Sequence, residues 1–345
     1  MWTQEALSKQ SQIKSGWQVI VPATSANLGC AFDCGGLALQ LYLKACFVPS
    51  ESGGLTLEYS GKTPERVPMD ASNLILQGFR AVVEHFHAPN PRGRIVVESQ
   101  IPVGVGLGSS AAAVIAGLLL GAAYCGKELS AEHLLCLAHG LEGHADNAAA
   151  AYYGGLVLAL NDGNRVLALK TSFPERIKLI VVTPAIAVPT HKARRVLPAT
   201  YQRADVVHTL QRTALLAATC FSGKFELFPQ LFDDRLHQPY RQKLAPGIAS
   251  ALRYRHEGLL GVAISGSGSS VIAFAEKNER EIGSELQKIF LKEEVKAEVL
   301  ITSADNSGAK LTTHGRPGQA KDTENRGNRQ PAAAGLRQAK RSELT

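Results

Sequence analysis

No other stretch of this chain limits its fold as tightly as residues 101–113, IPVGVGLGSSAAA. Gly104, Gly106 and Gly108 alternate with apolar residues and run into the hydroxyls of Ser109 and Ser110, after which an alanine- and leucine-rich run begins. Glycine has no Cβ, so a loop with glycine at every second place can turn its backbone amides to one side. The run after it is helix-forming, and a helix start leaves its first amides unsatisfied and its dipole positive. Together these make a cradle for an anion, most often a nucleotide phosphate. The same letters also describe a plain glycine-rich turn capped by serine, and spacing alone does not choose between the two. Context favours the phosphate: residues 94–98 (RIVVE) read as a strand feeding the loop, so strand, loop and helix come in the order a phosphate loop needs.

A second glycine motif is a decoy. Residues 121–128 (GAAYCGKE) match GxxxxGK, but Glu128 stands where a magnesium-binding hydroxyl is required, and the segment ends a helix instead of opening one. Gly126 reads as a helix C-cap and Lys127 as a solvated charge.

Composition narrows the class. The length allows about two domains of ordinary size, and 45% hydrophobic with 19% charged residues is a globular balance. The net charge of +7 is concentrated at one end: residues 316–345 hold seven Lys/Arg and three Asp/Glu, or +4, leaving +3 for the body. A body so weakly basic argues against a nucleic-acid surface. The tail itself, polar and short of large apolar residues, is expected to be disordered. The six cysteines (Cys30, Cys34, Cys46, Cys125, Cys136, Cys220) show no paired metal spacing. The N-terminal residues lack the apolar core of a signal peptide, and no apolar run is long enough to cross a membrane. The expectation is a reduced, cytoplasmic protein without membrane contact.

Along the chain, residues 17–22 (WQVIVP) read as a strand and residues 23–36 (ATSANLGCAFDCGG) as a loop of small residues carrying Asn27 and Asp33. Residues 37–49 and 55–59 read as paired strands, and 73–87 as a helix with an apolar face of Leu74, Leu76, Phe79, Val82, Val83 and Phe86. Ser130 opens another helix, with Glu132 in its first turn. A second half is expected from about residue 165: a strand at 177–182, helical segments within 201–232 and 244–255, a strand at 259–264 ending in SGSGSS (265–270), its return at 271–274, a helix at 279–291 and a last strand at 295–301. Strict βαβ alternation is missing, so the fold class is α+β.

Three small-residue loops occur in fixed order: VPATSANLGCAFDCGG, IPVGVGLGSSAAA and AISGSGSSVIAF. They resemble the three signatures of the GHMP kinase superfamily. Within it the first loop is most similar to that of the homoserine kinases, PATSANLGPGFDCLGLAL. The segments EGHADN, THKARRVLP and HQPYRQKLAPG resemble that family's EGHPDN, TKEAR-VLP and H-P-R-PG, so the likeness runs over about residues 17–310. It implies a two-domain GHMP kinase fold, with a ribosomal-protein-S5-like β/α domain over residues 1–165 and a ferredoxin-like α/β domain over 166–310. A basic tail, 311–345, would complete the chain.

The activity implied is transfer of the γ-phosphate of ATP to the side-chain hydroxyl of L-homoserine, giving O-phospho-L-homoserine for threonine biosynthesis, by a homodimer. Phosphoryl transfer asks mainly for positioning and charge neutralisation. The ATP-binding residues carried over begin with Pro102, Val103, Gly104, Val105, Gly106 and Leu107. They continue through Gly108, Ser109, Ser110, Ala111 and Ala112, and include Gly266 and Gly268 of the third loop. Asn73 stands at the family's adenine side, though its bland alternative is a helix N-cap. Ser109 or Ser110, with Glu142, would supply oxygens to Mg2+, a hard ion; Ser110 and Glu142 are the chosen pair.

The acceptor is a zwitterion. Arg194 and Arg241 suit its carboxylate, because a guanidinium presents paired donors in a planar fork. Asn27 and Asp33 take the ammonium and hydroxyl end, and His144, Asp146 and Asn147 stand where the family lines the acceptor pocket. Asn27, Asp33 and Asn147 are the residues expected to act on the reacting group. Asp33 and Asp146 are the carboxylates of these loops that could take a proton, and neither is expected to be an obligatory base. Cys30 and Ala31 replace a Pro-Gly pair, Gly35 replaces leucine, Val105 replaces arginine, and SGSGSS lacks a proline. Ala31 matters most, since alanine reaches positive φ less readily than glycine. Two other readings stay open: a relative acting on threonine, mevalonate or a sugar, and a catalytically silent member of the fold.

Overall fold

Eleven strands among the described residues form two sheets, and alternation between more buried and more exposed side chains is clearest in two of them, Leu55–Gly61 and Gly93–Ser99. The computed structural model describes residues 16–163 and 165–314. The first half runs β1 (Gly16–Asn27), β2 (Ala31–Pro49), β3 (Leu55–Gly61), α1 (Leu74–His85), β4 (Gly93–Ser99), α2 (Ser109–Cys125), α3 (Ala131–Glu142), α4 (Asp146–Tyr153), β5 (Leu156–Asn161) and β6 (Val166–Thr171). The rest runs β7 (Lys178–Pro184), α5 (Thr190–Arg195), α6 (Arg203–Ser222), α7 (Gln238–Arg241), α8 (Ile248–Arg253), β8 (Leu259–Ile264), β9 (Val271–Ala275), α9 (Glu279–Lys292), β10 (Ala297–Thr302) and β11 (Lys310–His314).

The first sheet has seven strands in the order β11-β1-β2-β4-β3, with β5 beside β2 and β6 beside β5. Only β3 and β4 pair in parallel, and the crossover that this requires carries α1. The second sheet, β10-β7-β9-β8, is antiparallel throughout. Its order in the chain, β7, helices, β8, β9, α9, β10, is the βαββαβ pattern of a ferredoxin-like layer. The mixed α+β reading holds.

Helix α2 is the buried post of the first half. Ala111, Ala112, Val114, Ile115, Ala116, Leu118 and Leu120 are fully buried, so the helix is apolar nearly all round, as an interior helix is. Small residues let it approach α1 closely: a Cβ on Gly117 would lie 2.2 Å from the Ile75 carbonyl oxygen. A post held this closely fixes where its N-terminus, and the glycine loop before it, can stand. Gly126 caps its other end with φ 60°.

Four expectations change. Residues 37–49 and 55–59, expected to pair with each other, are separated by β4, which pairs with both β2 and β3. Residues 23–36 are mostly ladder, with Ala23, Thr24, Ser25 and Ala26 paired to Leu39, Ala38, Leu37 and Gly36. Pro22, which cannot donate to a ladder, sits where the register shifts. Residues 166–171, expected to open the second half, pair with β5 and complete the first sheet. Residues 310–314 return to β1, so the basic tail does not begin at 311; its residues beyond 314 lie outside the described residues. Among the described residues, no helix is long and apolar enough to cross a membrane.

Candidate active site

Positive φ angles of 84° at Gly106 and 65° at Gly108 set the shape of the loop before α2. A Cβ there would come 2.1 Å from the Ser265 carbonyl oxygen or 1.9 Å from Thr24 Oγ1, so only glycine fits. The loop's carbonyls all face protein donors. Val103 O accepts from Arg66 Nη1 at 3.0 Å, and Gly106 O from Ser265 Oγ at 2.7 Å. Gly104, Val105, Leu107 and Gly108 accept from the amides of Val188, Ser270, Thr24 and Ala112. With its acceptors engaged, what the loop has left for a ligand is its amide edge. No side chain caps α2, so the first-turn amides and the positive dipole end add to that edge. Together they form an anion site.

A cleft of about 200 Å³ opens at this loop. Val103, Gly104 and the run Gly106–Ser110 line it jointly with Asn27, Asp33, Arg194 and Arg241. His144, Asp146, Asn147, Thr190, Gly266 and Ser267 complete the lining.

Beside the loop, α3 ends at Glu142, to which the Ser110 hydroxyl donates a hydrogen bond. Burial pushes the Glu142 pKa up, against the opposing charge of His144 and the Ser110 bond. Its Oε2 is buried with no hydrogen-bond partner among the described residues. A carboxylate with one oxygen bare, at the helix end where the dipole is negative, suits a cation on that side. Ser110 and Glu142 therefore fit a small hard ion. Among the described residues no group of three or more His, Cys, Asp or Glu could hold a metal ion, so its other oxygens would come from phosphate and water.

Asp146 opens α4 almost fully buried, at 2% exposure. Its Oδ1 accepts from the Asn147 amide at 2.7 Å and contacts His144 Nδ1 at 3.1 Å. Burial lowers the His144 pKa, but the hydrogen bond and charge of Asp146, with the charge of Glu142, outweigh it and leave the pKa raised. Asn147 Oδ1 accepts from Thr24 Oγ1 at 2.7 Å, and the Thr24 amide donates to Leu107 O. Strand β1 thereby holds the glycine loop and α4 together.

On the side of the first loop, Asn27 is a fastener. It is buried with φ 71°, its Oδ1 accepts from the Asp33 amide at 2.9 Å, and its Nδ2 donates to Gly266 O at 2.7 Å. Ala31 is spared: the left-handed residues of this turn are Asn27, Leu28, Gly29 and Asp33. The Asp33 carboxylate takes Arg194 in a two-pronged ion pair, Nη1 to Oδ2 at 2.9 Å and Nη2 to Oδ1 at 3.1 Å. Arg241 is held differently. It is 2% exposed, donates from Nε to Ala193 O and from Nη1 to Gly266 O, each at 3.2 Å, and lies 5.0 Å from the Phe32 ring centre. Burial lowers its pKa first of all, yet a guanidinium keeps its charge.

Behind Phe32, at 5.1 Å, stacks the buried imidazole of His237. Its Nε2 donates to Gly29 O at 2.7 Å, and its backbone amide and that of Gln238 donate to Asp234 Oδ2 at 2.8 Å. Burial pushes its pKa down to about 4, against the charge of Asp234. His237 thus ties the helix bearing Arg241 to the turn bearing Asp33.

Some expected residues stand aside from the cleft. Asn73 is the α1 N-cap: its Oδ1 accepts from the Ile75 amide at 2.9 Å and its Nδ2 donates to Pro68 O at 2.7 Å, which occupies both ends of the amide. Pro102, Val105, Ala111 and Ala112 do not line it either; Val105, Ala111 and Ala112 face the core. Gly268 lies behind Gly106, whose absent Cβ would come 2.9 Å from its amide. Thr190 and Ser267 line the cleft and were not foreseen, although both lie inside the motifs THKARRVLP and SGSGSS.

The chain is similar to known proteins over most of its length. Models of the GHMP kinase N-terminal and C-terminal domains match residues 73–155 and 214–292. A homoserine kinase of Solibacter usitatus is 37% identical over 303 residues, 88% of this chain and 99% of its own length. One of Caldicellulosiruptor saccharolyticus is 38% identical over 297 residues, 84% of this chain and 95% of its own. The crystal structure of a homoserine kinase from Cytophaga hutchinsonii superposes with a TM-score of 0.79 at 26% identity, over 90% of this chain and all of that one.

Proposed function

Because the chain belongs to the homoserine kinase family of the GHMP kinases, we propose that this cleft transfers the γ-phosphoryl group of ATP to the side-chain hydroxyl of L-homoserine, forming O-phospho-L-homoserine. One observation carries the reading: an amide-edged anion site and two guanidiniums line the same cleft. A triphosphate needs the first, and an amino-acid carboxylate the second.

The amides from Gly104 to Ser110 bind the ATP phosphates, the Val103 amide being held by Thr63 Oγ1 at 2.9 Å, and the α2 dipole favours their charge. Ser110 and Glu142 would hold Mg2+, which when bound neutralises charge on the transferring phosphoryl group. Arg241, fixed by two backbone carbonyls, takes the acceptor carboxylate together with Arg194. Asp33 takes the ammonium. His144 and Asn147 line the space around the hydroxyl, and Asn27 orients Asp33 through its backbone. Neither nearby carboxylate is free to act as a base: Asp33 is engaged by Arg194 before the acceptor binds and by its ammonium afterwards, and Asp146 Oδ1 is shared by His144 and Asn147. Alignment of the hydroxyl with the phosphorus therefore carries the rate. Asp33→Asn is expected to raise KM for homoserine more than it lowers kcat; a collapsed kcat with an ordinary KM overturns this. Cysteines that form no disulfide among the described residues suit the reducing cytoplasm, and a homodimer is part of the same reading.

The test is ADP release measured in turn with homoserine, threonine, serine, mevalonate and galactose. Preference for homoserine supports the reading, and preference for mevalonate or galactose sinks it.

A further inference from the structure

Two groups that the acceptor needs are engaged with each other in this structure. Asp33 and Arg194, 161 positions apart in the chain, meet through two parallel hydrogen bonds at 2.9 and 3.1 Å. Their side chains are 36% and 40% exposed, so solvent reaches the pair and weakens it. The two halves differ in freedom. Asp33 is fixed, because its amide is held by Asn27 in a left-handed turn. Arg194 is a long side chain on the six-residue helix α5, with hydrogen bonds to Asp33 alone among those described. Arg241, by contrast, is held by backbone carbonyls and makes no ion pair with an acid among the described residues.

A carboxylate that takes the Nη1–Nη2 edge of Arg194 must displace that of Asp33, which holds both nitrogens. Asp33 is then left without its partner unless the incoming molecule also brings a cation. An incoming amine has the mirror problem, since it takes Asp33 and leaves Arg194 unpaired. A zwitterion solves both, because its carboxylate and ammonium sit on one carbon. We infer that the Asp33–Arg194 pair is a charge-exchange selector for zwitterionic alcohols: the acceptor's carboxylate replaces Asp33 on Arg194 while its ammonium replaces Arg194 on Asp33. One ion pair opens and two form, and the cleft's net charge does not change. The inference rests on the amino-acid kinase reading and adds a reason for specificity that neither residue supplies alone. A neutral alcohol opens the pair with nothing to replace it, and a singly charged one replaces only half.

The test uses three alcohols: homoserine, its deaminated analogue 4-hydroxybutanoate, and its decarboxylated analogue 3-aminopropan-1-ol. For each, kcat/KM is measured on the wild type, Asp33→Asn and Arg194→Gln, with Tm recorded to establish folding. The expected pattern crosses over. Asp33→Asn lowers kcat/KM for homoserine but raises it for 4-hydroxybutanoate by about fivefold, the worth of a solvent-screened pair. Arg194→Gln lowers it for homoserine and raises it for 3-aminopropan-1-ol by about the same factor. A uniform fall with all three alcohols means the pair is only structural and overturns the inference. Wild type that turns over homoserine, with no crossing in the variants, sinks the inference and leaves the kinase reading standing; wild type inactive on homoserine sinks both. Crystals of wild type soaked with homoserine give an answer independent of variant folding. Separation of the pair beyond about 4 Å supports the exchange, and a closed pair beside bound homoserine overturns it.

Discussion

The two sides of the cleft are built from different materials. The phosphate side is backbone: glycines in left-handed conformations, carbonyls engaged by the protein, and a buried helix that fixes the loop from below. The acceptor side is side chain: a half-exposed ion pair and a buried arginine that makes no ion pair among the described residues and is held by backbone carbonyls. The difference matches what each ligand demands. Every phosphate group presents the same oxygens, so a rigid cradle serves, whereas an acceptor is distinguished by where its charges sit, which calls for groups able to exchange partners.

The sharpest way to break this contrast is Gly106→Ala. Its Cβ would lie 2.1 Å from the Ser265 carbonyl oxygen, and backbone cannot move aside as a side chain can. The left-handed φ of 84° adds strain. We expect a loss of about 3 kcal/mol or more in stability, read as Tm, with ATP binding lost alongside. An unchanged Tm and KM for ATP would mean that the cradle is softer than its geometry implies.

Next come the two arginines, which should separate. Arg241→Gln leaves the Ala193 carbonyl without its donor and Gly266 O with that of Asn27 alone, for a cost of about 2 kcal/mol in stability and a large rise in KM for homoserine. Arg194→Gln removes an exposed pair, so its stability effect should stay within about 1 kcal/mol while its KM for homoserine also rises. Equal destabilisation by the two would erase the distinction between fixed and exchangeable cation.

Acid sharpens the fixed half. His237 is kept neutral by burial, its pKa lowered in the folded protein. The unfolded chain then binds the proton more readily, so stability is full above the ordinary histidine value near 6.5 and is lost as pH falls from there toward 4. His237→Gln should flatten that part of the stability–pH curve. A wild-type curve already flat between those values would show that the imidazole is not held neutral.

The contrast between the sides also explains what the sequence disclosed. The glycine loop was legible because its constraint is written in residue type: at Gly106 and Gly108 no other residue tolerates both the angle and the close approach. The arginines were legible as motif members, but their unlike settings were not, since the Asp33–Arg194 bond depends on a tertiary approach that no local spacing encodes. Residues 23–36 read as loop because Asn27, Gly29 and Asp33 do adopt left-handed angles, yet the small residues around them pair as ladder. Strand β11, with its side chains mostly exposed, has no apolar run to betray it. His237 was passed over because its bond to Gly29 crosses 208 positions of chain.

The mildest test lies within the loop itself. Gly104 shares a positive φ, 78°, with its neighbours, but the nearest atom to a Cβ there is the Ala187 methyl at 3.7 Å, an ordinary contact. Alanine at this place would meet no clash, so its cost reduces to the left-handed backbone, about 1 kcal/mol. Gly104→Ala should lower Tm slightly and raise KM for ATP by a small factor, leaving kcat and KM for homoserine alone. Loss as large as that of Gly106→Ala would mean that the amides around Gly104 need absolute freedom from side chains, and that the phosphate wall extends one residue pair further from α2 than its tight contacts imply.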